Sequence, residues 1–106
     1  MTTNLKPIYS TLASDPDYID LVKGFVSKFP LEAELIRRCL SEKNLVLLQR
    51  IMHQLRGSCG GYGFPTLTEY AGQIDERLKT GQTLESVEAD ITIFLSMLAS
   101  ATAEKA

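Results

Sequence analysis

Residues 44–63 read NLVLLQRIMHQLRGSCGGYG, and the rest of the chain is organised around this stretch. Its apolar residues recur at helical spacing. With His53 at zero on a wheel turning about 100° per residue, Leu47, Leu48, Ile51, Leu55, Cys59 and Tyr62 fall within about 60° of the opposite pole. That side is the expected core face. His53 sits near the middle of the outward face, with Gln49, Arg50, Arg56, Gly57 and Gly60 around it. The helix is expected to start at Asn44 or Leu45 and to fail at Gly60-Gly61-Tyr62-Gly63, where helix propensity collapses.

Helical spacing continues on both sides. Upstream, Tyr18, Val22, Phe25, Phe29, Ala33, Ile36 and Leu40 keep steps of three or four, after a start at Ser14-Asp15-Pro16-Asp17. The stripe stays in phase across Pro30, which removes a backbone donor, so one long helix kinked there is expected rather than two stacked ones. Leu5, Ile8, Tyr9 and Leu12 suggest a short helix before it. Downstream, Pro65 opens a helix with the stripe Leu67, Tyr70, Ala71, Ile74 and Leu78, and Thr80-Gly81 stops it. Thr83 caps a last helix with Leu84, Val87, Ile91, Phe94, Leu95 and Leu98, and the tail from Ala101 is expected to fray. The connections are short, which favours antiparallel neighbours. The expected architecture is all-α: an antiparallel four-helix bundle with a short additional N-terminal helix, as one domain over residues 5–100.

Composition narrows the function. The 106 residues are 44% hydrophobic, enough for one core, and carry a net charge of −2 with no basic patch, so no nucleic-acid partner is expected. Met1–Ser10 has no apolar leader core, and Ile91–Leu98 is too short and too interrupted to span a membrane. A cytoplasmic monomer without membrane insertion is the expectation. Cys39 and Cys59 form no C-x-x-C pair and are read as reduced core residues. Residues 57–63 are glycine-rich but lack the Gly-Lys-Ser/Thr ending of a P-loop. No ATP-binding kinase site is expected, and the scattered acids are assigned to solubility.

The chemistry therefore converges on His53. Gly57 falls one turn beyond it and Gly60 two turns beyond, although glycine within a helix costs about 0.5–1 kcal/mol relative to alanine. The expected reason is access, since a partner surface approaches the imidazole more closely where side chains are missing. Arg56 places a guanidinium beside the ring to pair with phosphate oxygens, and Arg50 lies on the other flank. A free imidazole, with a pKa of about 6.5, is largely neutral and nucleophilic near pH 7. An open, neutral imidazole among cations suits reversible phosphorylation on nitrogen.

The string His53-Gln54-Leu55-Arg56-Gly57-Ser58 followed by Gly63 resembles the signature of histidine phosphotransfer (HPt) domains, His-x-Leu-Lys-Gly-Ser with a glycine five residues on. Leu67, Ala71 and Ile74 resemble the family's next helix, and Asp15-Pro16, the Phe25 region and Pro30 its first bundle helix. The resemblance spans roughly residues 8–98. One departure is Arg56, where the family usually has Lys. The resemblance implies a phosphorelay carrier: His53 accepts a phosphoryl group through Nε2 from a receiver-domain aspartyl phosphate and passes it to another receiver. It implies response-regulator receiver domains and a sensor or hybrid histidine kinase as partners. No cofactor belongs to the chain, and Mg²⁺ is expected on the receiver. Met52 and Leu45 are candidate docking residues at the rim of the outward face, and Tyr62 and Phe64 are expected to pack the helix junction. Two other readings are a phosphoryl-accepting module of a larger hybrid or chemotaxis-type kinase and a non-catalytic helical interaction bundle.

Overall fold

The computed structural model describes residues 6–106. Five helices follow in order: α1 (Ile19–Val26), α2 (Phe29–Glu42), α3 (Leu45–Gly61), α4 (Pro65–Lys79) and α5 (Leu84–Ser100). Helix α3 packs on α2 and α4, and α5 closes the ring against α2 and α4. The four long helices thus enclose one core, an all-α bundle. Val22, Ile36, Leu48, Met52, Leu67, Ile74, Val87, Ile91 and Phe94 are completely buried within it. Burying each such Leu, Ile or Phe contributes about 1.5–3 kcal/mol relative to exposure.

Helices α1 and α2 are separated by two residues only. Ser27 and Lys28 keep right-handed helical angles, and Ser27 N–H still bonds the Lys23 carbonyl at 3.0 Å. Pro30 lies in the first turn of α2 and has no N–H to continue the ladder. In place of the single kinked helix expected, the stripe runs through two helices that part at Ser27–Lys28, just before Pro30. The upstream start differs in detail. Asp15 Oδ1 accepts from Asp17 N–H at 2.9 Å, and its carbonyl accepts from Tyr18 and Ile19, so a turn precedes the first full helical residue.

The helix ends follow from local chemistry. Asn44 Oδ1 accepts from Leu47 N–H and Thr83 Oγ1 from Ser86 N–H, each capping the helix it precedes. Helices α2, α3 and α4 all end in a Schellman turn, with Lys43, Gly63 and Gly81 in the left-handed region at φ 54°, 86° and 83°. In α3, Gly63 N–H bonds the Gly60 carbonyl and Phe64 N–H bonds the Cys59 carbonyl at 2.8 Å.

The two ends of the chain depart from expectation. Ile8–Tyr9 form no helix; they are a short strand, β1, paired in parallel with β2 (Ala101–Thr102). The proposed first helix is therefore absent over the described residues, and Leu5 lies outside them. The tail is likewise paired at Ala101–Thr102 rather than frayed from its start. Beyond β1, the chain is fastened to the end of α3. Thr11 N–H bonds the Gly63 carbonyl at 2.8 Å, and Ser10 Oγ donates to the Tyr62 carbonyl at 2.7 Å. A cluster of aromatics fills the space beneath: Phe25 stacks on Tyr62 with centroids 4.3 Å apart and meets Phe29 edge-on at 5.0 Å, while Phe64 is fully buried. Tyr62 and Phe64 pack the helix junction as expected. Among the described residues, no helix is long and apolar enough to cross a membrane.

Candidate functional site

His53 projects from the middle of α3 with its side chain 59% exposed. It does not stand in open solvent on all sides. The return of the chain at Gly63 lays α4 along one flank of α3, and Asp75 of α4 comes opposite the ring. His53 Nδ1 lies 3.0 Å from Asp75 Oδ2. Gln49 Nε2 donates to Asp75 Oδ1 at 2.6 Å, and Arg56 Nη1 donates to Oδ2 at 3.2 Å. Lys79, one turn along α4, places Nζ 3.5 Å from the same oxygen.

Asp75 is fully buried, and a buried carboxylate persists only if it is well partnered. Burial pushes its carboxyl up. The hydrogen bonds from Gln49, His53 and Arg56, with the Lys79 charge, together outweigh that and bring it down to about 2. Asp75 is therefore an anion near neutral pH and can only accept. It follows that the His53 ring donates its Nδ1 proton to Asp75. In the neutral ring the other nitrogen, Nε2, then carries the free lone pair. The same constraint orients Gln49, which must turn its NH₂ group toward the acid. The site is thus a histidine whose neutral form has one tautomer, proton on Nδ1 and lone pair on Nε2, held by a buried carboxylate.

Arg56 lies along α4 rather than out into solvent. Its arm crosses Gly72, where a Cβ would come 3.3 Å from Nε and 3.5 Å from Cδ. Its Nη1 also donates to Glu76 Oε2 at 3.1 Å. The bonds to Glu76 and then Asp75 push the guanidinium above its already high ordinary value. Arg50, by contrast, is exposed and has no ion-pair partner among the described residues.

The glycines separate. A Cβ at Gly57 would meet nothing within 4 Å, so the surface there is open. Gly60 does not merely open the surface: a Cβ there would come 3.0 Å from Thr68 Oγ1, so its lack of a side chain lets α4 approach α3. Met52 is corrected as a docking residue, since it is completely buried, and Leu45 is half-buried against the core. The exposed apolar side chain on the His53 face is instead Val46, two turns earlier and 72% exposed.

Sequence reasoning missed Asp75, Glu76, Lys79 and Gly72. One signal was available for Asp75: it sits at the edge of the stripe formed by Leu67, Ala71, Ile74 and Leu78, one turn after Ala71. An acid in that position is not simply a solvated surface residue, and its assignment to solubility fails because α3 covers it.

Compared with protein families, residues 20–104 match the model described as the Hpt domain. The chain belongs to the Hpt family. Among curated proteins and among solved structures, nothing matches it significantly. Hpt domains are helical phosphocarriers with a histidine phosphotransfer role in phosphorelays, and they act with receiver domains and kinases. The Hpt-like string now resolves into separate duties. His53 and Arg56 meet Asp75, and Leu55 is buried in the core. Ser58 Oγ donates back to the Gln54 carbonyl at 2.9 Å, within the helix. Gly63 makes the turn and admits the N-terminal segment, since a Cβ there would fall 2.4 Å from Ser10 Oγ and 2.9 Å from Thr11 N. Both cysteines are buried free thiols, and burial pushes the Cys59 thiol up to about 12, which leaves it inert.

Proposed function

We propose that His53 is the phosphoryl acceptor of a phosphorelay carrier, taking the group from an aspartyl phosphate on a receiver domain and passing it to a second receiver. The observation that carries this is the donation of Nδ1–H to a buried, ionised Asp75, which leaves Nε2 as the nucleophile. The Nε2 lone pair forms the N–P bond as the acyl-phosphate P–O bond breaks, and that electron pair leaves with the receiver's carboxylate. The Nδ1 proton stays between ring and acid, where Asp75 offsets the positive charge that develops on the imidazole. Positioning and charge neutralisation dominate such a transfer. The receiver supplies the aspartate and Mg²⁺; this chain supplies the nucleophile, the cations Arg56 and Lys79, and an open surface at Arg50, Gly57 and Val46.

The test is transfer itself. A receiver domain loaded with phosphoramidate and Mg²⁺ is mixed with the wild type and with His53→Gln, and acid-labile phosphate on this chain is measured. Transfer to the wild type and none to His53→Gln, with the variant still folding cooperatively, is the expected result. Phosphate that persists in His53→Gln places the acceptor elsewhere.

A further inference from the structure

The charges on the α4 flank of His53 balance before any phosphoryl group arrives. Asp75 and Glu76 face Arg56 and Lys79, whose Nζ is also 3.9 Å from Glu76 Oε2. The two carboxylates are not equivalent. Asp75 is fully buried, accepts three side-chain hydrogen bonds and loses them only at high cost. Glu76 is 59% exposed, so water readily replaces its partners. Arg56 is drawn toward both by an arm laid across Gly72.

A phosphoryl group adds on the order of two negative charges. Placed on Nε2, it finds Arg50 unpaired among the described residues on one flank, but the cations of the α4 flank are already paired. We propose that Glu76 is a positioning residue that competes with the phosphoryl group for Arg56. It holds the guanidinium on α4 in the resting protein and yields it when His53 is modified. This rests on His53 being the acceptor. Its consequence suits a carrier: the phosphohistidine is less stabilised than it would be with Arg56 unpaired, so the group moves on.

Phosphoramidate serves as the probe, with no receiver present. Nε2 forms the N–P bond while the P–N bond of the donor breaks and ammonia leaves. The rate of acid-labile phosphate formation, followed by ³¹P NMR, should rise about threefold in Glu76→Gln, and the rise should shrink with added salt. Glu34→Gln, which removes the same charge from an exposed position on α2, should change nothing. The rise should also shrink when Glu76→Gln is combined with Arg56→Ala. An equal effect from Glu34→Gln, no rise in Glu76→Gln, or a rise independent of Arg56 overturns the proposal. A wild type that takes no phosphate, or a His53→Gln variant that takes as much, removes instead the acceptor assignment beneath it.

Discussion

Gly57 and Gly63 belong to one motif and face opposite surroundings. Beside Gly57 there is space, with nothing within 4 Å of where a side chain would begin. At Gly63 the backbone is left-handed, and the segment Ser10–Thr11 presses against it. The first glycine leaves a surface open, and the second lets the chain close on itself. The residues around them follow suit: near Gly57 the helix presents His53 and Arg56 to a carboxylate, while near Gly63 it ends among Phe25, Phe29, Tyr62 and Phe64. A sequence motif thus joins a chemical half to an architectural half.

The contrast breaks most visibly at its architectural end. Gly63→Val should cost about 3 kcal/mol or more, from the left-handed φ and from the overlap with Ser10 and Thr11. Urea denaturation measures the loss, and the fraction that stays folded should still accept phosphate at the wild-type rate. Loss of phosphorylation without loss of stability would move Gly63 to the chemical half.

Next in size is Asp75, which belongs to both halves. Its folded-state value of about 2 lies below the ordinary 3.8, so its contribution is present above about pH 4 and is lost as pH falls from 4 toward 2. The shift corresponds to about 2 kcal/mol. Denaturation of the wild type at pH 5 and pH 2.5 should show that loss, while Asp75→Asn should be less stable at pH 5 and flatter between the two. Equal slopes would mean that Asp75 is not held as an anion. Transfer by Asp75→Asn should also fall, because the Nδ1 proton is no longer held by a charge.

The smallest effect tests the glycines against each other. Gly57→Leu should slow transfer from a receiver about tenfold by obstruction and leave stability equal or slightly higher, since glycine is a poor helix former. Gly60→Leu should lower stability by forcing α4 away at Thr68. Matching stability losses in the two variants would erase the distinction between them.

Much of this was legible beforehand. Apolar spacing, Asn44, Thr83, Pro30 and Pro65 located the helices because caps and periodicity act within a turn or two. Ile8, Tyr9 and Leu12 misled for the complementary reason. Their spacing also fits a helix, but Ile8–Tyr9 are decided by pairing with Ala101–Thr102 at the other end of the chain. Local pattern carries no information about so distant a partner.

The site divides along the same line. The sequence by itself determined that His53 lies opposite the core stripe of α3, beside Arg56 and Gly57, because a helix fixes those angles. It could not determine that the outward face has two unlike flanks. A wheel treats them as equal, whereas α4 covers one of them. On that flank Met52 is buried, Gly60 meets Thr68, and Gln49, His53 and Arg56 all turn to Asp75. On the other, Arg50 and Gly57 remain in water. Only the packing of α4 on α3 decided which ring nitrogen is occupied and which is free, because that packing brings the buried charge within hydrogen-bond reach of one of them.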